Sequence, residues 1–328
     1  MNGANEHFTL SALSIDAEAE ADRIAARMRS ILRGDLRKRG FVIGISGGID
    51  SAVCAALAVR AVGPERVFGL LMPDRDSDPQ SSRLGEAVAK TFGIGHVVEN
   101  VGPALDAMGC YRRRDEAIRR VVPDYGACWS SKIVFDNALT AGGYNISSLV
   151  VRAPDGAMRK LRLPADAYLG IVAATNMKQR TRKQLEYYHA DRLNFAVIGT
   201  PNRLEYDQGF FVKNGDGAAD IKPIAHLYKS QVYELAAHLG VPEKIRKRPP
   251  TTDTYSLPQT QEEFYFALPY AKMDACLYAL DNGVPAAEAG AAIGLSEAQV
   301  EAEWSDIAAK RKVARYLHMP PVLAGQAD

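Results

Sequence analysis

The stretch Phe41-Val42-Ile43-Gly44-Ile45-Ser46-Gly47-Gly48-Ile49-Asp50-Ser51 reads as a strand that breaks into a loop and restarts as a helix. Residues 41–45 are apolar throughout and rich in β-branched or aromatic side chains, the pattern of a strand covered on both faces in a parallel sheet. Ser46, Gly47 and Gly48 let the backbone turn sharply and come close to a ligand, and Asp50 and Ser51 open the helix-compatible run Ala52-Val53-Cys54-Ala55-Ala56-Leu57. Loop N–H groups and the positive end of a helix dipole then converge on one point, which makes a phosphate cradle. The alternative is a glycine-rich turn that holds no ligand. The loop is not a P-loop, which would carry a Lys, nor a dinucleotide fingerprint, which would carry a third Gly where Asp50 stands.

Outward from this stretch, strand-like and helix-like segments alternate. Residues 67–72 are a second buried strand, 73–79 a polar loop, 80–92 a helix, 96–99 a short strand, and 194–199 a strand that runs into Thr200-Pro201-Asn202-Arg203-Leu204-Glu205. The fold class is therefore α/β, a doubly wound, mostly parallel sheet flanked by helices, with a helical C-terminal part over 273–319. Ligands of such sheets bind beyond the carboxyl ends of the strands, where the loops at 46–51, 73–79 and 200–205 all lie. Glu205 would be costly to bury there without a cation or a donor, so it is a candidate metal ligand.

An amphipathic helix over 14–32, ended by Gly34, precedes the first strand, and a second begins at Lys229. Residues 111–120 hold five Arg and read either as a solvated helix face or as an anion site. Two strand-like runs over 149–163, joined by Pro154-Asp155-Gly156, signal a hairpin without suggesting a role for it. The basic, proline-stopped segment 244–253 suits a phosphate or a solvated loop.

Lys plus Arg number 40 against 39 Asp plus Glu, which leaves no global charge for nucleic acid or a membrane surface to exploit. The acidic Glu297, Glu301 and Glu303 also oppose a DNA-binding reading of the helix-turn-helix-like stretch 287–304. Cys54, Cys110, Cys128 and Cys276 show no paired spacing and read as reduced thiols of a cytoplasmic protein. No run approaches the roughly 20 apolar residues of a membrane helix, and the N-terminus lacks a signal-peptide core.

Ser-Gly-Gly-Ile-Asp-Ser resembles the pyrophosphate loop of the ATP pyrophosphatases, which adenylate a carboxylate or carbonyl oxygen and release pyrophosphate. Over about 41–252 the chain resembles, more narrowly, the ammonia-dependent NAD synthetases. The matching pieces occur in the family's order: Gly-Ile-Ser-Gly-Gly-Ile-Asp-Ser, Asn-Met-Lys-Gln-Arg-Thr-Arg, Gly-Thr-Pro-Asn-Arg-Leu-Glu, Gly-Phe-Phe-Val-Lys-Asn-Gly-Asp-Gly-Ala-Ala-Asp-Ile, Leu-Tyr-Lys-Ser-Gln-Val-Tyr-Glu-Leu and Arg-Pro-Pro-Thr-Thr-Asp. The resemblance implies an adenine-nucleotide α-hydrolase-like sheet over 1–260, interrupted by an insert at about 112–163, with 261–328 a helical region of the same domain.

It also implies residue roles. Gly44, Ile45, Ser46, Gly47, Gly48, Ile49, Asp50 and Ser51 would cradle the phosphates of ATP, a co-substrate, with Thr200, Lys229 and Thr251 as further contacts. Asp50 and Glu205 would hold Mg²⁺, and Asp50 and Lys229 would carry the catalysis. Arg180, Lys213 and Asp220 match positions that contact deamido-NAD, and His318 stands in for the His of a His-Lys pair, with Met319 where Lys is expected. The implied partners are deamido-NAD, ATP and ammonia, with a homodimer as the assembly. A glutamine-using enzyme would need an additional amidase domain, for which this length leaves no room, so free ammonia or a separate glutaminase subunit is the expected nitrogen source. The competing readings are an ATP pyrophosphatase that amidates a different carboxylic acid and a nucleotide-binding regulator without turnover.

Overall fold

The computed structural model describes residues 7–136, 146–251, 254–261, 265–266 and 268–325. The first helix, α1 (Ala17–Arg33), starts where Asp16 accepts from the N–H groups of Glu18 and Ala19, stops at Gly34, and buries Ile24, Met28 and Leu32 at helical spacing. Then follow β1 (Phe41–Gly44), α2 (Ile49–Val62), β2 (Val67–Leu71), α3 (Pro79–Thr91, begun by Asp78 and its proline), β3 (Gly95–Val98), α4 (Gly102–Ala107) and α5 (Cys110–Arg119). Three antiparallel strands come next, β4 (Ser130–Asp136), β5 (Ile146–Arg152) and β6 (Met158–Arg162), and then the long α6 (Ala165–Leu193), β7 (Ala196–Ile198) and α7 (Arg203–Gln208). The chain closes with α8 (Lys229–His238), α9 (Glu243–Arg246), α10 (Tyr270–Asn282), α11 (Ala286–Ile293) and α12 (Glu297–His318).

The main sheet is parallel, in the order β3-β2-β1-β7, with Phe41 opposite both Val67 and Ala196. From β1 the chain winds outward through β2 to β3, then returns to lay β7 on the other side of β1. That reversal leaves a crevice at the carboxyl end of β1, where the loop of residues 45–48 emerges. The pleat divides β1 between two cores: Phe41 and Ile43 pack with α1, α2 and α8, while Val42 packs with Leu70, Val197 and Ala190 of α6. Met273, Cys276 and Leu277 of α10 gather a third core with Ile293, Val300 and Ile307.

The hairpin expected over 149–163 is β5 and β6, but it belongs to a three-stranded sheet, order β4-β5-β6, to which β4 had contributed no expectation. Ile133, Leu149 and Val151 of this sheet pack on Ala117 and Ile118 of α5 and Ala167 and Ile171 of α6. Among the described residues, no helix is long and apolar enough to cross a membrane.

Candidate active site

Beyond β1 the loop is tied to itself by hydroxyls. Ser51 Oγ donates to Gly48 O (3.0 Å) and lies 3.1 Å from Ser46 Oγ, and Gly48 N donates to Ser46 Oγ (3.2 Å). Gly47 turns at φ +77°, and a Cβ there would lie 2.5 Å from Ser81 O and 2.9 Å from Leu84 Cβ of α3. A side chain must therefore push the loop off α3 as well as strain its backbone. Gly47→Ala is expected to raise the ATP KM about tenfold or more, the cost of 1–3 kcal/mol of strain placed on a binding loop. Initial rates against ATP concentration check this, and an unchanged KM would remove the loop from the nucleotide site.

The loop opens onto a cavity of about 570 Å³ whose lining includes Gly44, Ile45, Ser46, Gly48, Ile49, Asp50, Ser51, Thr200, Glu205 and Thr251. Of the residues expected to contact ATP, Gly47 and Lys229 do not reach its wall. Lys229 lies behind Asp50, fully buried, with Nζ on Asp50 Oδ2. Its position at the first turn of α8 is set by Asp274 of α10, whose two carboxylate oxygens accept from the N–H groups of Lys229 (3.1 Å) and Ser230 (2.7 Å). Asn202 connects Asp50 to Glu205: its Nδ2 donates to Asp50 Oδ1 (3.2 Å), and it forms a capping box with Glu205 at the start of α7. Gln261 Nε2 donates to Glu205 Oε1 (3.1 Å). Burial, and then the charge of Asp50, push the Glu205 carboxyl up to about 8 against the pull of Lys229. Lys229 thus pairs with Asp50 directly and acts on Glu205 through its charge.

A second charged group, not expected from the sequence, stiffens the cavity's rim. Lys178, 1% exposed, donates to Asp74 Oδ1 (3.1 Å), Asp76 Oδ2 (2.7 Å) and Thr254 O (3.0 Å). Arg182 donates to Asp74 Oδ2 (2.8 Å), and Arg114 to Asp76 Oδ2 (2.6 Å). Arg114 comes from the five-Arg segment, where it is buried; Arg112 and Arg113 of the same helix are exposed. Neither a solvated face nor an anion site describes Arg114. The face of α6 carrying Tyr168, Val172, Thr175, Gln179, Arg182 and Glu186 lines the cavity along most of that helix's length. At its inner end Glu186 pairs with Lys183 (2.6 Å), and Glu186 Oε1 would lie 3.0 Å from a Cβ added to Gly44.

Arg180, Lys213, Asp220 and His318 lie outside the lining of this cavity. Arg180 Nε donates to Lys213 O (3.2 Å), and Lys213 Nζ donates to Tyr316 O (2.8 Å) and Met319 O (3.1 Å) at the end of α12. Asp220 accepts from Val197 N (2.7 Å) and from the Tyr187 hydroxyl (3.2 Å), which fixes the loop 209–220 to β7 and α6. His318 Nε2 pairs with Tyr206 O (2.8 Å) and lines a separate open cavity of about 890 Å³ that also carries Arg203, Arg311 and Arg315. The structure thus brings together Asp50, Glu205 and Lys229, and sets the four residues expected on the acceptor side on α6 (Arg180), on the loop 209–220 (Lys213, Asp220) and at the end of α12 (His318).

A hydroxyl-tied loop at the switch point of a parallel sheet, with buried charge behind it, places the protein among α/β proteins that present loop N–H groups and a helix N-terminus to an anion. The NAD synthase family model matches residues 23–122 and 147–314, and the chain belongs to that family. It is 70% identical over 316 residues to the NH(3)-dependent NAD(+) synthetase of Rhizobium meliloti (strain 1021), covering 96% of this chain and 94% of that protein. Among solved structures, NMN synthetase from Francisella tularensis shares the fold with a TM-score of 0.65 at 23% identity, over 95% of this chain and 100% of that one. NH3-dependent NAD synthetase from Campylobacter jejuni shares it with a TM-score of 0.61 at 21% identity, over 94% of this chain and 100% of that one.

Proposed function

We propose that the chain is a C–N ligase that makes NAD from deamido-NAD, ATP and ammonia, with release of AMP and pyrophosphate. The observation that carries this reading is the Asp50–Lys229 pair, with Glu205 beside it, at the mouth of the phosphate loop of an NAD synthase family chain. A carboxylate resists ammonia because its charge repels the nucleophile and oxide is a poor leaving group. Adenylation removes both obstacles. A carboxylate oxygen of the acceptor bonds to the α-phosphorus of ATP as the bridging P–O bond breaks and pyrophosphate leaves with its electron pair. The lone pair of ammonia then forms the C–N bond at the carbonyl carbon, AMP departs with the C–O electrons, and the nitrogen gives up a proton.

The chain's own residues serve these steps by holding charge. The loop 45–48 and the N-terminus of α2 border the cavity that would take the phosphates, and Thr200 and Thr251 line the same cavity. Lys229 Nζ fixes the direction of the Asp50 carboxylate. Asp50 and Glu205 suit Mg²⁺, since a hard cation is commonly held by one or two carboxylates together with substrate phosphate oxygens. Bound there, Mg²⁺ would offset the charge that builds on the phosphates. We assign Arg180, Lys213, Asp220 and His318 to the acceptor side, where they order the loop 209–220 and the end of α12.

We further propose a homodimer, supported by Val313 and Tyr316, which lie three residues apart on α12 and are each about two-thirds exposed (66% and 65%). Sedimentation at the mass of a single chain would remove it. A cytoplasmic location is supported by the four free thiols, three of them buried.

The decisive assay is AMP release by the purified protein with Mg-ATP and ammonium, with and without deamido-NAD. AMP and NAD that appear only with the dinucleotide are the expected result. ATP binding without dependence on the dinucleotide would transfer the proposal to another carboxylic acid.

A further inference from the structure

We infer that Phe135, with Tyr168 set against it, forms the face on which the pyridine ring of the acceptor rests. The inference depends on the proposed function for the identity of that acceptor. Phe135 stands near the end of β4 and lines the main cavity together with Tyr168 of α6. The two ring centroids are 6.1 Å apart with planes at 77°, a T-shaped pair that fixes the orientation of the Phe135 ring.

The neighbouring chain shows which part of the cavity Phe135 serves. Ser131 N donates to Ser256 Oγ (2.9 Å), Leu257 N donates to Ser131 O (3.2 Å), and the Gln259 side chain donates to Ile133 O. Residues 256–259 are thus tied to the first half of β4, and Gln261, two residues further on, lines the same cavity as Phe135. Gln261 is the residue that donates to Glu205. Phe135 thus shares the cavity wall with Gln261 and with Glu205, the carboxylate to which Gln261 donates.

Adenylation takes place beside that pair, and the carboxyl being adenylated is bonded directly to the pyridine ring. The adenine of ATP, by contrast, is separated from the reacting phosphorus by a ribose. A planar ring one bond from the reacting carboxyl is the group that must come to rest beside Phe135, and a pyridine on a phenyl face is a favourable contact. The NAD synthase family model passes over residues 123–146, the segment that contains Phe135. This face of the cavity is accordingly supplied by a stretch outside the family's matched frame.

Initial-rate kinetics of the full chain with ATP, ammonium and deamido-NAD test the inference. Phe135→Ala is expected to raise the deamido-NAD KM about tenfold, the scale of a lost ring stack, with the KM values of ATP and ammonium within about twofold of the parent. Phe135→Tyr should restore the parent value. Should thermal unfolding show that Phe135→Ala does not fold, Phe135→Leu keeps apolar volume without an aromatic face and should show the same selective rise. A rise confined to the ATP KM would give the face to adenine and overturn the inference, as would an unchanged deamido-NAD KM. A parent enzyme that fails to convert deamido-NAD overturns the proposed function and this inference together, whereas conversion with an insensitive Phe135 overturns the inference alone.

Discussion

Replacing Lys229 by Met is expected to lower pyrophosphate release about 10²–10³-fold, the loss that follows removal of one preorganised charge from a transition state. Lys229 is fully buried and stands directly behind Asp50, and among the described residues it is the cation paired with that carboxylate. With the ammonium gone, Asp50 loses its ion-pair partner and Glu205 the charge that opposes its upward shift. Both changes weaken the charge pattern that the triphosphate meets. The same substitution breaks a buried ion pair, so the unliganded fold should also lose about 3–5 kcal/mol. Pyrophosphate release at saturating substrates and urea unfolding of the same preparation separate the two effects. Turnover within about twofold of the parent would show that Lys229 serves the fold and not the chemistry.

Lys178→Met should have the larger effect on stability relative to activity. The substitution leaves Asp74 and Asp76, which follow the cavity-lining Met72 and Pro73, with one cation fewer, at an expected cost of about 3–5 kcal/mol. It also cuts the bond to Thr254 O, so the segment that follows Thr251 loses its tie to the end of β2, and a several-fold higher ATP KM is expected with kcat less affected. Burial alone would raise the Asp76 carboxyl, but Lys178 and then Arg114 overcome it and hold the carboxyl below its ordinary value. A depressed carboxyl stabilises the fold above its unfolded-state value, and that contribution is lost as pH falls through the folded-state value. The parent should therefore lose part of its advantage over Lys178→Met in acid, and urea midpoints compared at neutral and acidic pH measure the difference. Equal stability of the two proteins at neutral pH would exclude the network as a support of the rim.

What the sequence disclosed follows the range of the interactions involved. The phosphate loop is a local event of eight residues, and its glycines, serines and following apolar run announce it directly. The parallel sheet was legible for a similar reason, since 41–45, 67–72 and 194–199 are continuous apolar runs between helical segments. Glu205 was legible as a cost, an acid delivered to a buried sheet edge. The structure adds that Asn202 and Gln261 share that cost by hydrogen bonding to it.

The Lys178 network was not legible, because Asp74 and Lys178 lie about a hundred positions apart and no spacing relates them. In the sequence, Lys178 and Arg182 stand in a motif shared with the family, but nothing local to that motif names Asp74 or Asp76 as their partners. The strand β4 was missed because Ser130-Ser131-Lys132 dilutes the apolar alternation that Ile133-Val134-Phe135 begins. Lys213 was expected on the acceptor side, and its bonds to Tyr316 O and Met319 O could not have been foreseen, since they depend on where the last helix ends.

The 29 residues of α6 make a rod of about 43 Å that borders the cavity from the floor beside Gly44 to the rings of Tyr168 and Phe135. One end of the rod is anchored in the parallel sheet, the other in the antiparallel one. A change in packing at either sheet is therefore carried to the cavity wall by the same rigid element, and two structurally unlike sheets are kept in step by one helix.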